Sequence, residues 1–259
     1  MKQTALITGA SSGIGSELAK LFAKAQINLV LVARRRERLD ILAAGLIKKH
    51  GITVEVIDSD LTDADKRQQI FDRLKEKNIS IDYLINNAGF GDNGPFIDCD
   101  WDKQQRMIEL NISALSHLTR LFLPQLMQQK RGGILNVAST AGFLPGPNMA
   151  VYYASKAYVL SFTEAIAQEV KASGIKVSAL CPGPVKTEFV AVAGIENAKM
   201  VNPLTTLSAQ KVALIGYRGL MRGKVVNISG LIMKIMIHSL RISPRAMTRK
   251  LSAWMARTH

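Results

Sequence analysis

Short apolar runs alternate with amphipathic stretches from Thr4 to Ile228, and this alternation confines the chain to a narrow set of folds. Runs such as Asn28 to Ala33, reading Asn-Leu-Val-Leu-Val-Ala, lack the polar alternation of a strand with one wet face, so they predict strands covered on both sides. The others are Thr4 to Thr8, Thr53 to Ile57, Asp82 to Ile85, Gly133 to Val137, Ile175 to Leu180 and Lys224 to Ile228. Between them, helical spacing is seen over Glu17 to Ala25, in Leu39, Leu42, Leu46 and Ile47 up to Gly51, over Trp101 to Gln129, Val151 to Ala172 and Ser208 to Met221. One further helix is expected to start at Thr62, with Asp65 three residues on, and to bury Ile70, Phe71 and Leu74. A helix between consecutive strands returns the chain to the same edge of the sheet, so the strands run parallel. The expectation is an α/β protein, a doubly wound parallel sheet with helices on both faces, in a single domain.

At 259 residues, with 47% hydrophobic and 21% charged side chains, the chain can bury a sizeable core without a second domain. No internal repeat, low-complexity tract or linker divides it. The first strand is reached within a few residues of Met1, which leaves no apolar core for a signal peptide and gives a cytoplasmic expectation. Cys99 and Cys181 have neither a second thiol nor a paired histidine near them in sequence, so free thiols are expected and no metal site. The net charge of +14 is lopsided: eleven lysines and arginines follow Glu196 and no acid does. Such a surface suits a membrane, an acidic protein or an anionic ligand, whereas no nucleic-acid module or aromatic-rich basic stripe is present.

Ligands of such a sheet bind beyond the carboxyl ends of its strands, and the polar residues of this chain fall there. After the first strand comes Gly9-Ala-Ser-Ser-Gly13-Ile-Gly15, a turn whose glycines let the backbone approach a pyrophosphate at the start of the next helix. Its spacing, Gly-x3-Gly-x-Gly, differs from the commonest dinucleotide fingerprint. The second strand ends in Ala33-Arg34-Arg35-Arg36, where an NAD-binding chain would carry an acid for the ribose hydroxyls. A guanidinium in that place, Arg34, can hold a 2′-phosphate by paired charged hydrogen bonds, so the expected cofactor is NADP(H), with Arg35 and Arg36 as solvated residues of a helix start. Asp60-Leu61 and Asn86-Asn-Ala-Gly89 close the third and fourth strands, Ser139 the fifth and Cys181-Pro-Gly183 the sixth. Asn111, inside an apolar helix, must either face solvent or be held by polar groups. In Val151-Tyr-Tyr-Ala-Ser-Lys156, Tyr152 and Lys156 lie one helical turn apart, and an adjacent cation would favour the phenolate of Tyr152. Tyr153 lacks that interval.

Thr8-Gly-Ala-Ser-Ser-Gly-Ile-Gly15, Asp60-Leu61, Asn86-Asn-Ala-Gly89, Asn111, Ser139, Tyr152-x3-Lys156 and Pro182-Gly183 together resemble the short-chain dehydrogenase/reductase family, in order and in spacing, over residues 4–190. The resemblance implies a Rossmann-type fold and an oxidoreductase acting on a carbonyl or alcohol. It implies that Tyr152 donates the proton during carbonyl reduction, that Ser139 polarises the carbonyl, that Lys156 binds the nicotinamide ribose and stabilises the phenolate, and that Asn111 supports a relay water. It assigns cofactor contacts to Gly9, Ser11, Ser12, Gly13, Ile14, Gly15, Arg34, Asp60, Leu61, Asn87, Ala88, Gly89, Tyr152, Lys156, Pro182, Gly183, Val185 and Thr187. Ser12 stands where NADP-binding members often carry a basic residue.

The expected Rossmann unit spans 1–230, with a substrate segment at about 184–207 in which Ala191, Val192, Ala193, Ile195, Met200 and Val201 form either an apolar lid or core contacts. A hydrophobic ketone, aldehyde or acyl carbonyl fits a lid of that kind. Residues 231–259 extend the chain beyond the family's usual end as two helical pieces, Leu231 to Ile242 and Arg245 to Ala256, the second cationic with Met247, Leu251, Trp254 and Met255 as an apolar face. This extension packs on its own domain, closes over the pocket or lies on an anionic membrane. Since family tetramers use a different chain end, the expected assembly is a homodimer through 101–129 and 151–172. A cofactor-binding sensor without turnover is the rival to the enzyme.

Overall fold

The structure, a computed structural model, describes residues 2–196, 201, 205–240 and 243–255. Its sheet has seven strands in the order β3-β2-β1-β4-β5-β6-β9, and every pairing is parallel. The strands are β1 (Thr4–Thr8), β2 (Asn28–Ala33), β3 (Val54–Asp58), β4 (Tyr83–Asn86), β5 (Gly133–Val137), β6 (Lys176–Cys181) and β9 (Val226–Ile228). The expected α/β doubly wound Rossmann fold is therefore present.

Side chains alternate across each strand, so each strand serves two cores. Ala5, Ile7, Leu29 and Leu31 pack with Leu18 and Phe22 of helix α1 (Gly13–Lys24), Leu39 of α2 (Arg36–His50) and Val212 of α8 (Ala209–Met221). On the opposite face Leu6, Val30 and Val32 join Ile70 and Leu74 of α3 (Ala64–Glu76) and Leu118 and Phe122 of α5 (Leu115–Gln129). Each fully buried leucine or phenylalanine contributes about 2 kcal/mol by leaving water. Helix α6 (Ala150–Glu169) covers β5 and β6 and meets α9 (Leu231–Leu240) through Val159, Leu160, Met233 and Ile237.

The strand-start end of the sheet is pinned by Asp82. One of its oxygens accepts the Thr4 amide at 2.9 Å and the other accepts Arg131 Nε at 3.0 Å, while its carbonyl accepts the Gly133 amide at 2.9 Å. Gly132 takes a left-handed φ of +91° beside it, and a Cβ there would come within 1.9 Å of the Asp82 carbonyl oxygen. One buried carboxylate thus joins the beginnings of β1, β4 and β5.

Several local expectations are corrected. Helix α3 is capped by Asp63, whose Oδ1 accepts the Asp65 and Lys66 amides, not by Thr62; Thr62 is instead engaged by Asp60. The stretch 101–129 is three segments of one helix: α4 (Trp101–Ile108), a π-helical turn over Glu109–Ala114, and α5. The segment after Pro182 holds a short strand β7 (Val185–Lys186), paired in parallel with β8 (Leu207–Ser208), and a short helix α7 (Glu188–Val192). The tail forms α9 and then α10 (Arg245–Met255), the expected Ile242 and Ala256 ends lying outside the described residues.

Candidate active site

Strand order reverses between β1 and β4, and a cleft opens there beyond the strand ends. The glycine turn forms its first wall. Gly9 adopts φ +64° and Gly13 φ +57°, and a Cβ on Gly9 would lie 2.8 Å from Asn87 Nδ2 and 2.9 Å from Ala88 Cα. Asn87 earns its place by donating to the carbonyls of Thr8 and Gly9 at 2.9 and 3.2 Å, which fastens the turn after β4 to the turn after β1. Ser11, Ser12, Gly13 and Ile14 line the cleft. Gly15 is set back: a Cβ there would meet the Gly9 carbonyl oxygen at 2.4 Å, so its role is to let the helix start fold under the turn. Leu61, Ala88 and Gly89 line the middle of the cleft, and Pro182, Gly183, Val185 and Thr187 its far side.

The chemical end is assembled from three elements. Ser139 sits just past β5, its Oγ donating to the Pro182 carbonyl at 3.3 Å and accepting the Ala141 amide at 3.1 Å. Tyr152 and Lys156 come from the first turns of α6 and both are buried. Lys156 Nζ donates to the Val137 carbonyl at 2.8 Å and lies 5.8 Å from the centroid of the Tyr152 ring. Burial lowers the Lys156 ammonium to about 8, against a smaller opposing pull from Cys181. The effect expected of Lys156 on Tyr152 is overridden here. Burial raises the phenol above its ordinary value, the hydrogen bond with Ser139 opposes that rise, and Tyr153 adds to it. The Lys156 ammonium lies over the face of the ring and donates to the Val137 carbonyl, and desolvation dominates the Tyr152 shift.

Asn111 faces inward. Its amide donates to the Phe90 carbonyl at 3.0 Å and to Ser155 Oγ at 3.1 Å, and its Oδ1 accepts the Phe90 amide at 3.2 Å. The π-helical turn supplies the offset that brings it there from a helix otherwise devoted to the core. A Cβ on Gly89 would come 2.9 Å from Asn111 Oδ1 and 3.4 Å from Lys156 Nζ, so the β4 turn rests against both.

Two features escaped the sequence. Arg35, expected to be merely solvated, crosses to the glycine turn: its Nη2 donates to Ser12 Oγ at 2.9 Å and to Ser11 Oγ at 3.2 Å. Arg34, which also lines the cleft, lies 3.9 Å from Asp60, and Arg36 is tied to Asp40 of its own helix and to Asp58 at the end of β3. Phe189, the second residue of α7, packs its ring 5.4 Å from that of Tyr152. The pairing of Arg35 with two serines 23 and 24 residues away has no sequence signal, whereas the aromatic after Thr187 could have been read as part of the lid. Of the expected lid, Val192 and Ile195 line the cleft, Ala193 and Ile195 are buried beside Met149 and Tyr152, and Val201 packs on that cluster. Ala191 is exposed, and Met200 lies outside the described residues.

A tyrosine, a serine and a lysine gather at one end of a cleft whose other end is a glycine turn at the switch point, the place where doubly wound sheets bind their ligands. Residues 3–198 match the family model described as short chain dehydrogenase, and the chain belongs to that family. Among its relatives is a very-long-chain 3-oxoacyl-CoA reductase of Anas platyrhynchos, 37% identical over 71% of this chain and 60% of that protein, so the match spans less than two thirds of that relative. A short-chain dehydrogenase from Sphingobium yanoikuyae, solved in complex with NADPH, is 35% identical over 95% of each chain with a TM-score of 0.84. The bulky-bulky ketone specific alcohol dehydrogenase from Comamonas testosteroni is 30% identical over 99% of this chain and 96% of its own, with a TM-score of 0.78.

Proposed function

We propose that this chain is an NADPH-dependent carbonyl reductase, reversible as an alcohol dehydrogenase, for a hydrophobic ketone, aldehyde or acyl-type carbonyl. The observation that carries the reading is the gathering of Ser139, Tyr152 and Lys156 at one end of a cleft whose other end is the glycine turn with Arg34 and Arg35. The residues suit such a cofactor. The turn after β1 presents backbone without side chains at the N-terminus of α1, and two guanidiniums stand where a 2′-phosphate would lie. The NADPH complex of the Sphingobium relative supports the same choice.

Bound NADPH would supply the hydride. Tyr152 gives its hydroxyl proton to the carbonyl oxygen; burial keeps this phenol protonated but weakens it as an acid, so the transfer depends on Lys156 stabilising the phenolate that forms. Ser139 Oγ donates a hydrogen bond to that oxygen. Lys156 stabilises the phenolate left behind and holds the ribose, and Asn111, fixed by Phe90 and Ser155, supports a relay water. Phe90, Met149, Phe189, Val192 and Ile195 give the substrate end an apolar lining, which fits a bulky or long hydrophobic group. The ketone-specific relative supports that substrate class.

Fluorescence titration with NADPH and NADH, followed by a panel of hydrophobic carbonyls, tests the reading. Tighter binding of NADPH, with turnover reduced at least a thousandfold in Tyr152→Phe while NADPH still binds, is expected. Binding without turnover on the whole panel would point to a cofactor sensor, and a folded protein that binds neither nucleotide refutes the proposal.

A second reading concerns the tail and is compatible with catalysis. Helix α10 packs through Ser252, which is buried and donates to the Pro145 carbonyl, and it turns Met247, Leu251 and Trp254 outward. On α9, Leu231, Ile232 and Ile235 are exposed around Lys234. Apolar side chains set among cations, in a region without acids, match an anionic lipid surface, whereas a second copy would oppose cation to cation. No described helix is long and apolar enough to cross a membrane. The protein is expected to co-sediment with vesicles of phosphatidylglycerol and phosphatidylcholine but not with phosphatidylcholine alone, and Met247→Ser with Leu251→Ser should abolish this. Absence of binding to either vesicle removes the reading.

A further inference from the structure

The carboxylate of Glu188 is held where an anionic ligand would be expected. Glu188 is the first residue of α7, in the segment over the substrate end, yet it reaches back to the cofactor end. Its Oε2 accepts Arg35 Nη1 at 2.8 Å, and its Oε1 accepts Arg38 Nη1 at 2.5 Å. The same Arg35 uses its other nitrogens on Ser11 and Ser12 of the glycine turn. Arg38 foremost, then Arg35, hold the Glu188 carboxyl down at about 2, so it is an anion at any working pH.

The next residue faces the chemistry. Phe189 stacks obliquely on Tyr152, at 45° between rings, and its amide is capped by Thr187 Oγ1 at 3.3 Å. Thr187 in turn touches the phosphate turn: a Cβ on Gly13 would lie 3.2 Å from its methyl carbon. Three consecutive residues therefore contact the glycine turn, the arginines and the tyrosine in succession.

We propose that Glu188 sets nucleotide selectivity by competing with the 2′-phosphate of a bound nucleotide for Arg35, and that this exchange is transmitted through Phe189 to the substrate end of the cleft. The inference rests on the dinucleotide reading of that cleft. A phosphate offers the guanidinium the same paired acceptors as a carboxylate with a larger charge, so it can take Arg35 while Glu188 stays on Arg38 or lets go of both. A nucleotide lacking the 2′-phosphate has nothing to offer Arg35 and leaves α7 tied. The two classes of nucleotide thus leave Phe189 differently restrained over Tyr152.

The test uses 2′,5′-ADP and 5′-AMP, which differ only in the 2′-phosphate, titrated into the full-length protein and into Glu188→Gln, with amide hydrogen exchange followed over residues 188–192. Glu188→Gln is expected to bind 2′,5′-ADP roughly fivefold more tightly, the scale of an exposed ion pair, and 5′-AMP unchanged. In the unsubstituted protein 2′,5′-ADP should speed exchange over 188–192 relative to 5′-AMP. Unchanged or weaker binding of 2′,5′-ADP by Glu188→Gln overturns the competition, and equal exchange with both nucleotides overturns its transmission. The preference of the unsubstituted protein between the two nucleotides reports separately on the NADPH reading, which can fail while Glu188→Gln still gains affinity for the phosphate.

Discussion

Lys156 illustrates how one side chain carries a cost that its neighbours cover. Its ammonium is buried and donates to a single backbone carbonyl, so the folded state binds its proton less well than the unfolded chain does, with a value near 8 against 10.5. The cost is therefore fully present below pH 8 and disappears as pH rises to about 10.5, where the lysine is neutral in both states. Replacing it by methionine removes the buried charge at the expense of one unpaired carbonyl. Lys156→Met should raise stability at pH 7 by about 1 kcal/mol while abolishing turnover, and the gain should shrink in denaturant titrations repeated towards pH 10. A variant less stable than its parent at every pH would show that the ammonium is welcome where it sits. The Tyr152–Lys156 interval was legible in the sequence because four residues make one turn; the direction of the Tyr152 shift was not, because it depends on how deep the turn is buried and where the ammonium points.

Among the elements, strands were read most accurately, since β1, β2 and β5 have the bounds their apolar runs imply. Helix starts were read less well. At α3 both Thr62 and Asp63 have capping side chains, and sequence order alone favoured the threonine with an acid three residues later. Asp60 decides the matter by accepting both the amide and the hydroxyl of Thr62, which leaves Asp63 to cap. Asp63→Ala is expected to cost about 1 kcal/mol in chemical denaturation, whereas Thr62→Ala should cost less than half as much. The reverse order would restore Thr62 as the cap. The π-helical turn at Asn111 is hidden for a different reason: one extra residue in a turn changes no composition, and shows only as a polar side chain on a face that should be apolar. Helix α7 and the β7–β8 pair are too short for periodicity to register.

Over the whole molecule, the sheet separates two kinds of work. Everything proposed to touch cofactor or substrate lies beyond the strand ends, while the strand starts are joined by Asp82, with Thr4 and Arg131 as its partners. That division was foreseeable from strand–helix alternation, which fixes where ligands bind; the Asp82 junction was not, because its partners are 78 and 49 residues away. Lys130 stands beside that junction, exposed at the left-handed end of α5, at the opposite rim from the cleft. The protein therefore has a natural handle: coupled to a solid support through a cysteine placed at 130, it would stand with its cleft towards the bulk solution, so that an immobilised preparation keeps access to both reactants.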